Sequence, residues 1–246
     1  MQIDVTHRFS KGLQFRVNYT WSKNLDINSG LTGAQANNQA QMVLDRIDLR
    51  RDWGPSALNA THQASISARY ELPFGHNQRW LDNVGAFETK IVSGWQLNSI
   101  VTILSGFPFT PLVGSNRSGD GDTRNPDRVS LDPTFNGPVL LRSPSRWFDP
   151  NAFRLPTPGT YGNIGRGTLT GPNLAEVDMS VFKNTAISEK FNLQFRTEIF
   201  NLLNRANFGP VNANVFSAGA VSPSAGTITT LATSARQIQF GLKLIY

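Results

Sequence analysis

"RQIQFGLKLIY", residues 236–246, decides how the rest of the chain is read. Ile238, Phe240, Leu242, Leu244 and Tyr246 are all large and apolar. Gln237, Gln239, Gly241 and Lys243 lie between them and are polar or small, with Ile245 the exception. A period of two is the mark of an extended strand with one apolar face. The stretch keeps full hydrophobic strength up to an aromatic last residue, where a soluble domain often frays.

The same alternation recurs upstream. "QIDVTHRF" places Ile3, Val5, His7 and Phe9 in one row. "LQFRVNYTW" sets Leu13, Phe15, Val17, Tyr19 and Trp21 against Gln14, Arg16, Asn18 and Thr20. "SKG" joins these two segments as a tight hairpin turn, with Gly12 free to take positive φ. "ATHQASISARYEL", "GWQLNSIVTIL", "LAEVDMSVF" and "KFNLQFRTEIF" repeat the pattern. About seven long antiparallel strands of roughly nine to thirteen residues are expected, against a globular norm of about five or six. Tilted membrane strands need about 9–11.

The connections alternate in length. Residues 10–12 and 184–188 are short, 73–90 intermediate, and 22–59, 105–172 and 202–233 long. Outer-membrane barrels are built this way, with short periplasmic turns and long extracellular loops. That polarity sends the last strand from outside to inside. Trp21, Tyr70, Trp95, Phe200 and Tyr246 lie at or near strand ends, as interfacial aromatic girdles do. The expected fold is therefore all-β, a portion of an antiparallel transmembrane β-barrel, with residues 1–246 as one incomplete domain in a Gram-negative outer membrane. A soluble β-sandwich or jelly roll is the competing architecture, since sequence alone does not say which face is outside.

Composition narrows the function classes. The chain has 246 residues, no cysteine and a formal charge of +6. Disulfides, thiolate metal sites and cysteine nucleophiles are excluded. Basic residues are scattered, which gives no nucleic-acid footprint. No stretch is long and apolar enough for a transmembrane helix. "MQIDVTHRFSKG" lacks the layout of a secretory signal. Seven strands is an odd count, and an open sheet edge is not tolerated in hydrocarbon. The expectation is a fragment of a longer protein.

Five strings carry a family resemblance: "LQFRVNYTWSKNLD" (13–26), "YELPFG" (70–75), "GWQLNSIVTILSGFPFT" (94–110), "WFDPNAFRLPTPGTYGNIGRGTLTGPNLAEVDMSVFKN" (147–184) and "FRTEIFNLLNRANFG" (195–209). In that order they resemble the carboxy-terminal barrel region of TonB-dependent outer-membrane receptors, most closely the Oar-like subgroup. The resemblance implies a plugged, roughly 22-stranded barrel, of which this chain is the last third. It implies a transporter component that adds barrel wall and extracellular loops for substrate uptake, without enzymatic activity or cofactor. The partners it implies are outer-membrane lipid, the barrel assembly machinery, and a plug domain and TonB reached through an amino-terminal part. An adhesin or structural surface barrel without active transport is the alternative. Gln239, Gly241, Leu244 and Tyr246 resemble the signal that the assembly machinery reads.

Few constellations suggest chemistry. Arg16, Arg69, Glu71, Arg196 and Glu198 sit mid-strand on polar rows and are candidates for lumen contact with substrate or plug, or for pairing across strands. "GDGDTRNPD" (119–127) offers Asp120, Asp122, Asn125 and Asp127 for Ca²⁺, but lacks the full twelve-residue calcium loop. His7, His62 and His76 have no metal-ligand spacing. "GNIGRG" (162–167) follows a proline-rich loop rather than a strand and reads as a turn. There is no G-x-S-x-G, so a soluble β enzyme has no motif behind it. Deleting Tyr246 is expected to lower outer-membrane levels of the protein more than it weakens strand pairing. Quantitative blotting of membrane fractions checks this, and unchanged levels would contradict the assembly signal.

Overall fold

The computed structural model describes residues 1–8, 12–29, 43–76, 78–122 and 127–246. Phe9, Ser10, Lys11 and Asn125 lie outside them. Seven strands form one antiparallel sheet: β1 (Gln2–Arg8), β2 (Leu13–Trp21), β3 (His62–Glu71), β4 (Trp95–Leu104), β5 (Leu174–Ala186), β6 (Asn192–Phe200) and β7 (Gln237–Ile245). Each pairs with its neighbours in sequence, giving an up-and-down meander. β1 has seven residues and β5 thirteen, with the others at nine or ten, close to the expected lengths.

Register keeps the alternation in phase across the sheet. Arg16 sits opposite Thr6 and Ser67, Asn98 opposite Arg69 and Ser180, and Glu198 opposite Ser180 and Gln239. These residues make one polar face. Val17 sits opposite Val5 and Ile66, Val101 opposite Ile66 and Val177, and Phe195 opposite Lys183 and Leu242. These make the other, mostly apolar face. A slip of one residue in any pair would mix the two faces, so the pattern itself selects the register.

The sheet does not close on itself. β1 pairs only with β2, and β7 only with β6, among the described residues. The apolar row of β7 is the most open part of it, with Phe240 69% and Leu242 70% exposed.

The buried core is not between strands. Phe109, Val113, Val129, Trp147, Phe148, Phe153, Ile164, Leu169, Val211, Val215 and Phe216 form one cluster. All of them belong to the connections 105–173 and 201–236, where the sequence leads one to expect the long extracellular loops 105–172 and 202–233. They fold instead into a capping layer with its own short ladders. Pro108–Phe109 pairs with Leu169–Thr170, Ser130–Leu131 with Phe153–Arg154, and Leu140–Ser143 with Arg146–Phe148. The Leu112 amide donates to Ala213 O at 2.9 Å and Val215 N to Leu112 O at 2.9 Å, which knits the two connections together. Trp147 Nε1 reaches Thr170 O at 2.8 Å.

At the opposite end of the strands the connection 72–94 is also structured, with one short helix, α1 (Ala86–Val92). The turn 187–191 is tight. Phe148 is fully buried, 6.0 Å from Phe109 and 5.7 Å edge-on to Phe153, measured between ring centroids. Phe148→Ala is expected to cost the layer about 3–5 kcal/mol. Hydrogen exchange should then show loss of protection in 105–173 and 201–236 while the strand ladders stay protected.

Candidate functional site

The sequence-predicted polar residues split into local pairs. Arg16 reaches diagonally across β1 and β2 to Asp4, with Nη2 2.6 Å from Oδ2. Arg69 pairs along β3 with Glu71 at 2.7 Å. Arg196 and Glu198, two apart on β6, stand 3.9 Å apart. The arginines therefore pair with nearby carboxylates rather than converging on one point. Exposed pairs of this kind contribute little stability, so their side chains stay available to a molecule on the polar face.

Arg69 and Glu71 border a cleft of about 890 Å³ at the short-turn end, together with Phe74, Arg79 and Gln96. Glu198 lines a separate recess of about 180 Å³ with Asn98, Asp178 and Ser180. Gln239 and Gly241 sit opposite Glu198 and Arg196, and Leu244 opposite Leu193. A Cβ on Gly241 would lie 3.5 Å from Arg196 Nε, an ordinary contact, so packing does not by itself require glycine there. Tyr246 lies beyond the ladder and is 94% exposed.

The acidic loop does not collect into a metal site among the described residues. Asp127 is buried and turned inward, accepting from Ser118 N at 2.6 Å and Ser118 Oγ at 3.0 Å. Asp120 accepts from the Asp122 amide at 2.8 Å. The histidines stay apart. His62 shares a hydrogen bond of 2.8 Å with Tyr19 Oη across β2 and β3. His7 stacks on Phe15, and His76 lies 3.8 Å from Asp82.

The residues that sequence reading missed are two buried arginines in the capping layer. Arg166, inside "GNIGRG", sits at a turn as the sequence suggests, but it is buried. Its guanidinium ion-pairs with Asp26 and donates to Asp26 O at 3.0 Å, Asp52 O at 3.1 Å and Ser29 Oγ at 2.6 Å. Arg128 ion-pairs with Asp52 and donates to Arg51 O at 2.7 Å. Asp52 is itself buried, and its second oxygen accepts from Leu44 N at 2.9 Å. The two guanidiniums thus clamp connection 22–61 onto connection 105–173. Burial pulls both below their ordinary values, and Asp52 opposes that pull at Arg128. Both remain charged at any physiological pH.

The glycines around Arg166 are there for close approach. A Cβ on Gly162 would run into the Arg128 and Val129 carbonyls, and Gly167 takes a φ of +62°. Arg51 adds a guanidinium 5.6 Å above the Tyr161 ring. Burial first, then the charge of Asp120, raises the Tyr161 hydroxyl above its ordinary value.

With this geometry in hand, the comparison with protein families is direct. A model described as an outer membrane beta barrel domain matches residues 1–239. The chain belongs to that family. It is an all-β, antiparallel outer-membrane barrel domain of the Gram-negative outer membrane. No curated protein matches it. In this barrel domain the apolar row is the lipid face, because polar rows line the wet interior of such barrels. The competing soluble sandwich is set aside by the same match.

Removing one partner of a buried pair leaves an uncompensated charge. Arg128→Met is expected to cost the capping layer about 3–5 kcal/mol, whereas Arg128→Met with Asp52→Leu recovers most of it. Limited proteolysis of connection 22–61 reads the difference. Arg128→Lys keeps the charge but loses the planar fork, so it should rescue poorly.

Proposed function

We propose that this barrel domain is the carboxy-terminal wall of a TonB-dependent, Oar-like receptor that takes up a substrate across the outer membrane. In this reading β1 and β7 continue into further strands of a plugged, roughly 22-stranded barrel. The polar face, with Arg16, Arg69, Glu71, Arg196 and Glu198, borders the lumen and meets plug or substrate. The observation that carries the reading is the in-order resemblance from Leu13 to Gly209. It is supported by a capping layer built on the long-loop end of the sheet, where a receptor meets its substrate. The open edges of β1 and β7 support it too, since unpaired strand edges are costly in hydrocarbon. Gln239, Gly241, Leu244 and Tyr246 are the segment offered to the assembly machinery, by strand addition at the exposed edge of β7.

The capping layer also suits an adhesin, because loops clamped by buried ion pairs present a fixed outer surface. A photo-reactive amino acid in place of Glu198, in cells making the whole protein, separates the two. Cross-links to a plug segment, identified by mass spectrometry, are expected for the receptor. Their absence, with surface binding that survives a protonophore, is the adhesin's result. The orientation has its own check. Thr157→Cys in the capping layer should react with a membrane-impermeant maleimide on intact cells, and Phe87→Cys in α1 should not.

A further inference from the structure

The connection 72–94 carries large apolar side chains on its surface. Phe87 is 73% exposed and Ile91 55%, and the two lie one helical turn apart on α1. Trp80 and Leu81, just before the helix, are each about half exposed, at 50% and 51%.

The attachment of α1 shows where that surface lies. Trp95 and Lys183 are register partners between β4 and β5, both on the apolar row of the sheet. Trp95 Nε1 donates to Ile91 O at 3.0 Å. The Lys183 ammonium donates to Lys90 O at 2.7 Å and Ser93 O at 2.5 Å. It also sits 5.9 Å from the Trp95 ring. A cation at the last carbonyls of a helix satisfies acceptors that the helix cannot. Here the cation comes from the wall that faces lipid. The last turn of α1 therefore hangs from the lipid-facing row at the short-turn end, with Thr89 and Ser93 on the cleft beside Arg69 and Glu71 and with Phe87 and Ile91 on the opposite side of the helix.

We propose that α1, with Trp80 and Leu81 before it, is an interfacial anchor seated among the phospholipids of the periplasmic leaflet. Its occupant is phospholipid rather than another protein, because the surface is continuous with the lipid-facing wall. Charge supports the same choice. Phe87 and Ile91 supply the acyl-facing side, and exposed Lys90 supplies a cation at phosphate depth. The leaflet assignment rests on the orientation proposed above.

The chain has no cysteine, so single-cysteine labels report one site each. Nitroxides at Phe87→Cys, Ile91→Cys, Glu88→Cys and Phe195→Cys would be compared in the intact protein in phosphatidylethanolamine–phosphatidylglycerol vesicles. The ratio of collisions with oxygen to collisions with a water-soluble nickel chelate is read at each. At positions 87 and 91 it should resemble the lipid-face reference at 195 and exceed position 88 several-fold. Ratios at 87 and 91 equal to that at 88 would overturn the proposal. So would shielding of 87 and 91 from both reagents, which means that protein covers the helix. A nickel-accessible label at 195 would instead bring down the lipid-face assignment itself, and the anchor with it. Reaction of Phe87→Cys with impermeant maleimide on intact cells would refute the periplasmic leaflet alone.

Discussion

Everything in this structure depends on one constraint: a backbone that crosses hydrocarbon must pair its own N–H and C=O groups. Seven strands in sequential antiparallel order do this by pairing each strand with its neighbours in sequence. Once the ladder exists, the pleat sends alternate side chains to opposite faces. The in-phase register then turns a scattered composition into two surfaces, one apolar and one polar. The outer edges of β1 and β7 have no strand partner among the described residues.

The strands hold little buried volume of their own. Packing density is concentrated in the capping layer, where Phe109, Phe148 and Phe153 meet and Val129 and Val215 are fully enclosed. Buried ion pairs are poor sources of net stability but strong sources of arrangement, since either partner alone is costly. Arg128 with Asp52 and Arg166 with Asp26 join segments separated by 76 and 140 positions. Their effect is to hold connections 22–61 and 105–173 together, while Leu112 with Ala213 and Val215 ties 201–236 to the same layer. A rim held in this way suits selective contact better than a set of independent loops.

The two ends of the sheet treat charge differently. At the long-loop end, arginines are buried and spent on carboxylates and carbonyls. On the polar wall, Arg16, Arg69 and Arg196 keep exposed, local partners and can exchange them. At the short-turn end, Lys183 is spent on the carbonyls of Lys90 and Ser93 at the end of α1.

The sequence by itself determined the strands, their faces and their order. A period of two is local, and lipid on one side with water on the other leaves it undiluted, as in Ile238 through Tyr246. It also carried the exclusion of cysteine chemistry, and the charged residues on the polar row. Only the tertiary structure decided the rest. "GNIGRG" reads correctly as a turn, but nothing near it in sequence says that Arg166 will be buried against Asp26. Phe148 and Val215 look like loop residues because their apolar neighbours come from distant segments, with no period to announce them. Arg69 and Glu71 were legible as polar-face residues, but not as each other's partners or as the border of a cleft, because side-chain pairing depends on rotamers and neighbours rather than on spacing. Likewise, nothing near Lys183 in sequence says that its ammonium will meet the carbonyls of Lys90 and Ser93.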